Sequence, residues 1–295
     1  MKDVLGVARG FTLSPFPLSL SPSDLCMDFL TEIIARKKER LAQSKKACAI
    51  EELRAQAMGA RRRAEPHALR HALSDSSRVN IIAEVKRASP SRGVIRKGVE
   101  PATFARYYET GGAAAISVLT EEDRFQGSLD DLRAVCAVTG LPVLRKDFIF
   151  DEFQLYEAAA AGADALLLIV AALTDETLSR LIRITEDELQ MDALVEIHTT
   201  AEAHKALASG AQLIGVNNRD LHTFDVSLDV SVQLARYISP HVSFISESGL
   251  RTGADLARLR ALGYKGFLIG ETLMRAPQPD KALRDLIGEA EGRQK

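Results

Sequence analysis

Eight short, nearly continuous apolar runs punctuate residues 79–269, and helical patterns fill the seven intervals between them. The runs are Val79–Val85, Ala113–Leu119, Pro142–Leu144, Ala165–Val170, Ala193–Ile197, Leu213–Val216, Val242–Ile245 and Gly266–Ile269. Their first residues lie 34, 29, 23, 28, 20, 29 and 24 positions apart, the size of a βα unit. The helical patterns are Pro101–Thr110, Leu129–Val138, Glu152–Ala161, Asp175–Thr185, Ala201–Leu207, Val230–Ile238 and Thr252–Leu262. A strand buried on both faces reads as a solid apolar run, and alternation with helices predicts a parallel sheet covered by them. Glycine follows the helix at four joints, at Gly112, Gly162, Gly210 and Gly263, where a C-cap needs positive φ. Eight units without an excursion predict a closed (β/α)8 barrel, a TIM barrel. The alternative, an open doubly wound sheet, needs a glycine-rich fingerprint after the first strand, and Arg87-Ala88-Ser89-Pro90-Ser91 is not one.

Residues 1–78 precede the repeat and read as an N-terminal helical extension capping residues 79–295, part of one barrel domain. Helices are predicted over 24–45, with Asp24 as N-cap, over 51–63, and near 67–73. The basic run Arg36–Arg40 reads as a solvated face. The first 23 residues have too many Pro, Ser and charges for a secretion signal. They are expected to fray or to close over a site.

Forty acidic residues against 38 basic ones give a net charge of -2, and there is no Trp. That balance argues against a nucleic-acid-coating protein. Cys26, Cys48 and Cys136 are scattered without a CxxC pair, which suits free thiols in a reducing compartment. Neither a metal motif nor an apolar stretch of membrane-spanning length is present, so a cytoplasmic protein without a metal is expected.

In a barrel, chemistry sits where strands end. The first ends in Glu84-Val85-Lys86, and alternation puts Ile82, Glu84 and Lys86 on one face. The third ends in Lys146, opposite in direction to Arg145, followed by Asp147 and Phe148. The fifth ends in Glu196-Ile197-His198, the sixth in Asn217-Asn218-Arg219, the seventh in Glu247-Ser248-Gly249, and the eighth in Gly270-Glu271-Thr272. One such end is compatible with a buried salt bridge. Six of the same polarity predict a lined cavity. Ser248, Gly249 and Gly270 offer backbone N–H groups for a phosphate after strands seven and eight, with Lys86 near and the Glu271 side chain turned outward. Lysines and carboxylates together suit proton transfer, although a Schiff-base lysine stays open on these residues alone.

The strings Ile82-Ala83-Glu84-Val85-Lys86-Arg87-Ala88-Ser89-Pro90-Ser91, Leu144-Arg145-Lys146-Asp147-Phe148-Ile149, Val216-Asn217-Asn218-Arg219-Asp220-Leu221 and Ile245-Ser246-Glu247-Ser248-Gly249 resemble the indole-3-glycerol-phosphate synthase family of tryptophan biosynthesis. The resemblance runs in order from about residue 25 to 288. It implies a carboxy-lyase that converts 1-(2-carboxyphenylamino)-1-deoxyribulose 5-phosphate to indole-3-glycerol phosphate, CO₂ and water, without cofactor or metal. It further implies Lys146 as general acid, Glu196 as general base, and Glu84 positioning or relaying protons. Lys86 and Arg219 would hold the anthranilate carboxylate, and Asn217 would orient substrate hydroxyls or Glu84. Phe125 is similar to the aromatic that packs on the anthranilate ring, a loop anchor being the alternative, and Phe148 is carried into the same substrate site. Ser89, Ser248, Gly249, Gly270 and Glu271 fall at the phosphate. The family admits more than one division of proton transfers between Lys86 and Lys146. A monomer is expected. No second, fused barrel is expected in the 24 residues after Glu271.

Overall fold

The computed structural model describes residues 22–220 and 223–293, without the side chains of 22–29. The expectations for residues 1–21 and for the Cys26 side chain lie outside the described residues. The eight barrel strands are β1 (Ile81–Val85), β2 (Ala115–Leu119), β3 (Val143–Lys146), β4 (Ala165–Ile169), β5 (Asp192–Ile197), β6 (Leu213–Asn217), β7 (Ser243–Glu247) and β8 (Gly266–Ile269). Each pairs in parallel with its neighbours in chain order, and β8 returns to β1, so the sheet closes. The four glycines after helices carry the expected left-handed backbone, with φ of 89° at Gly112, 93° at Gly162, 89° at Gly210 and 102° at Gly263.

Strand ends differ from the apolar runs in an informative way. β3 continues through Arg145 to Lys146, and β7 continues through Ser246 to Glu247. Lys146 stays in register with Leu119, and Asn217 with Glu247. The backbone ladder continues because the neighbouring strands still offer partners. Hydropathy stops two residues earlier because Lys146 and Glu247 face a cavity, while Arg145 and Ser246 are buried in polar bonds within the wall.

Outside the barrel stand α1 (Pro22–Ala47), α2 (Ile50–Arg61) and α3 (Ala68–Ser74). Helix α3 inserts Leu69 and Leu73 into the barrel's inner cluster beside Ile82, Leu144, Leu194 and Ile245, so it plugs the end opposite the strand termini. The buried Arg61 ties α2 to the same end, bonding the carbonyls of Leu189, Ala163, Glu65 and Gln190 and the carboxylate of Asp164. Two local expectations are corrected. The first helix starts at Pro22, so Asp24 lies within its first turn and not at its cap. Nor is the basic run simply a solvated face. Lys37 is buried, 2.8 Å from Asp147, because helical periodicity puts it on the face of Ile33 and Leu41.

The covering helices are α4 (Pro101–Gly111), α5 (Leu129–Cys136), α6 (Glu152–Ala160), α7 (Asp175–Arg183), α8 (Thr200–Ala208), α9 (Asp229–Leu234), α10 (Gly253–Ala261), α11 (Glu271–Arg275) and α12 (Pro279–Ala290). Five elements lie beyond the sequence expectation: a hairpin of Ala88–Ser89 with Gly93–Val94, a 3-10 turn at Val170–Ala172, a π-turn at Ile184–Glu188, and the two helices α11 and α12. Helix α12 packs Leu283 and Leu286 inward at helical spacing and closes the outer ring between α4 and α10. Cys48 and Cys136 are free thiols. No described helix is long and apolar enough to cross a membrane.

Candidate active site

Barrel interiors are filled in layers, each built from alternate strands. Here the odd-numbered strands supply Ile82, Leu144, Leu194 and Ile245 to one layer. Two residues on, the same strands supply Glu84, Lys146, Glu196 and Glu247. The top layer of the interior is therefore charged. Above it opens a cavity of about 950 Å³ at the C-terminal ends of the strands.

Lys146 is the hub of that layer. Its Nζ lies 2.5 Å from Glu247 Oε2 and 3.4 Å from Glu196 Oε2. Burial opposes the charged form, but Glu247, Glu196 and Glu84 together outweigh it and raise the pKa above that of a free lysine. The group is an ammonium throughout the physiological range. Glu247 shows the reverse balance: burial, with repulsion from Glu196 and Glu84, outweighs Lys146 and pushes its carboxyl up to about 7. Glu196 is also penalised by burial, yet Lys146, His198 and the Asn217 hydrogen bond bring it below the usual carboxylate range.

Asn217 Nδ2 donates to Glu196 Oε1 at 3.1 Å, and its Oδ1 accepts from the Arg219 backbone N–H at 3.0 Å. Of the two expectations for Asn217, contact with Glu84 is not what the fold provides. The side chain at the end of β6 meets that of adjacent β5. Its neighbour Asn218 faces the other way, bonding Ser246 and Ser231 in the wall.

Glu84 forms an ion pair with Lys86, across from Gly270. A methyl group on Gly270 would overlap Glu84 Oε1 and come 3.1 Å from Lys86 Nζ. Glycine there is thus a requirement of close approach. Gly215 makes the same allowance for Glu247 Oε1.

Around the rim, Ser248 and Gly249 take left-handed backbone angles (φ 67° and 78°), and α11 begins right after Gly270. The Glu271 carboxylate pairs with Arg275 at 3.0 Å and Arg92 at 3.5 Å, and all three line the rim of the cavity. Phe125 and Phe148 have ring centroids 6.4 Å apart, inclined at 43°, on one side of the cavity. The Phe125 loop is fixed by the Glu121 carboxylate, which accepts the N–H groups of Asp123, Arg124 and Phe125 at 2.7–3.0 Å. Arg219 Nη1 donates to Ser91 Oγ at 3.3 Å and to the Phe224 carbonyl at 3.1 Å, joining two loops across the opening.

The family model for indole-3-glycerol phosphate synthase matches residues 30–286. The chain belongs to this family.

Among curated relatives, indole-3-glycerol phosphate synthase of Carboxydothermus hydrogenoformans is 48% identical over 263 residues, covering 88% of this chain and 99% of that protein. The same enzyme of Syntrophobacter fumaroxidans is 46% identical over 266 residues, covering 88% and 98%. Solved structures with similar folds include 3-hexulose-6-phosphate synthase from Salmonella typhimurium, with TM-score 0.57 at 12% identity, covering 73% of this chain and 100% of that one. Thiamine phosphate pyrophosphorylase from Pyrococcus furiosus gives 0.56 at 14% identity, covering 75% and 98%. At such identities these likenesses speak for the barrel alone.

Within the indole-3-glycerol phosphate synthase frame, the cavity gathers every residue expected from the sequence. Glu84, Lys86, Ser89, Phe125, Lys146, Phe148, Glu196, Asn217, Arg219, Ser248, Gly249, Gly270 and Glu271 all line it. Glu247 lines it too and was not among the expected site residues. Its signal was in the sequence: like Lys146 and Glu196, it is a charged residue two positions beyond an inward apolar one on an odd strand. Arg92, Arg251 and Arg275 also reach the rim. They lie in loops and a short helix, where periodicity gives no direction.

Proposed function

We propose that this barrel mouth performs the indole-3-glycerol phosphate synthase reaction by acid–base catalysis centred on Lys146. The observation that carries the proposal is the ammonium of Lys146 held between Glu247 and Glu196 at the floor of a large cavity. The substrate is 1-(2-carboxyphenylamino)-1-deoxyribulose 5-phosphate. As the aromatic ring carbon attacks the ketone, negative charge develops on the carbonyl oxygen, and the Lys146 ammonium delivers a proton there. An alkoxide is basic enough to take a proton even from a lysine whose pKa is raised. Glu247, protonated in part near neutrality, can return a proton to Lys146 across 2.5 Å.

Loss of CO₂ from the anthranilate carboxylate and departure of the hydroxyl as water then complete the indole. Glu196, ionised and oriented by Asn217, is the base for the dehydration. The carboxylate is assigned to Arg219 and Lys86, and the aryl ring to Phe125 and Phe148. The phosphate is assigned to Ser89 with the backbone at Ser248, Gly249, Gly270 and Glu271, the side on which Lys86 lies against Gly270. Glu84 positions Lys86 through their ion pair. Preorganised charge of this kind accelerates a reaction when it favours the transition state over bound substrate.

Residues 22–78 serve as part of the barrel domain. The setting that fits this biosynthetic role is the cytoplasm. The decisive assay is incubation with the carboxyphenylamino-deoxyribulose phosphate while following indole fluorescence and CO₂ release. Absence of both signals would overturn the functional assignment.

A further inference from the structure

His198 has no part in the chemistry above, yet it lies directly after the end of β5, two residues beyond Glu196. Its ring lies between two carboxylates. Nε2 is 3.5 Å from Glu196 Oε1, and Nδ1 is 3.4 Å from Glu202 Oε2 in the first turn of α8. Both ring nitrogens are shielded from solvent and neither makes an aligned hydrogen bond. A histidine kept for packing or for a neutral hydrogen-bond network would satisfy at least one of them. A carboxylate close to each nitrogen suits an imidazolium, which carries an N–H on both.

The groups facing the imidazole are Glu196 on β5, Glu202 on α8 and Glu247 on β7, with Lys146 of β3 beyond Glu196.

We propose that His198 is a positioning residue for Glu196, acting as a protonated counter-ion that keeps this carboxylate ionised while Lys146 is without its proton. The inference rests on Glu196 being the base. When Lys146 has given its proton to substrate, Glu196 Oε2 loses the cation 3.4 Å away, and His198 beside Oε1 is the positive charge left in contact with it. Burial works against the protonated ring, but Glu202, Glu196 and Glu247 outweigh it and raise its pKa above that of a free histidine.

Coupling between two titrating groups is reciprocal, so each partner reports on the other. Imidazole carbon or nitrogen resonances, assigned by the loss of one signal in His198→Gln, give the titration midpoint of His198 directly. It should lie above that of an exposed histidine and fall by roughly one pH unit in Glu196→Gln. In His198→Gln, the acid limb of kcat should move to higher pH by roughly one unit, with KM within about twofold, because a neighbouring cation no longer favours ionised Glu196. A His198 midpoint at or below the exposed value, unchanged by Glu196→Gln, would overturn the proposal, as would superimposable pH profiles. If the His198→Gln protein does not fold, signal assignment by sequential resonances and the comparison of parent with Glu196→Gln still decide. Full turnover by Glu196→Gln would remove the base assignment instead, and the imidazole titration would separately decide the pairing.

Discussion

Glu247 makes a strong claim on stability. Its carboxyl is buried among Lys146, Glu196 and Glu84 and is pushed up to about 7. An ordinary glutamate in the unfolded chain ionises near 4.5. Between those two values the folded protein holds more protons than the unfolded chain, so stability falls as pH rises through the window and stays lowered above it. Roughly 2.5 pH units at about 1.4 kcal/mol each come to about 3–4 kcal/mol above pH 7. Gln at this position cannot ionise and lacks that slope. Glu247→Gln should therefore gain about 3–4 kcal/mol over the parent between pH 4.5 and pH 8, while losing most of its turnover. With a urea slope of about 3 kcal/mol/M, the midpoint difference should change by about 1 M. Circular dichroism suits the measurement in a chain without tryptophan. Glu186, also raised to about 7, titrates in the same window but is present in both proteins, so its contribution cancels in the difference. A midpoint difference that stays constant from pH 4.5 to 8, or a parent that gains on the variant as pH rises, would refute the electrostatic account.

Lys146→Ala removes the proton donor and should lower kcat by about 10²–10⁴-fold with a much smaller change in KM; near-parental turnover in steady-state assays would exclude its acid role. Gly270→Ala brings no backbone strain at φ -115°, but its methyl overlaps Glu84 Oε1. Displacing the Glu84–Lys86 pair should cut kcat/KM by about 10²-fold at nearly unchanged melting temperature, and unchanged kinetics would show that the pair needs no such close fit. Arg61→Met strands the five acceptors at the closed end of the barrel and should cost about 3–5 kcal/mol in urea unfolding. Because Arg61 is remote from the mouth, kcat per folded molecule should hold; a fall in kcat with unchanged stability would contradict the placement.

The sequence by itself determined the barrel and the level of its active site. Apolar runs at βα spacing and glycine caps such as Gly112 and Gly263 are local signals, set by strand burial and by the backbone angle a helix exit needs. Strand alternation likewise gave the direction of Glu84, Lys86, Lys146 and Glu196, because a period of two leaves a side chain only two faces. Pairing across the barrel was decided by tertiary structure, since adjacency in a closed sheet joins residues far apart in sequence. Lys146 meets Glu247 from 101 positions away, and Asn217 turns to Glu196 and not to Glu84. The same holds for Lys37, whose place in a basic run suggests solvent until the fold brings Asp147 against it. Proton affinity is settled at this last stage too. Glu196 and Glu247 are the same residue type at the same level of the barrel, yet one is held below the usual carboxylate range and the other pushed above it. Asn217 and His198 stabilise the charge on Glu196, whereas Glu247 has Lys146 alone against burial and two neighbouring carboxylates.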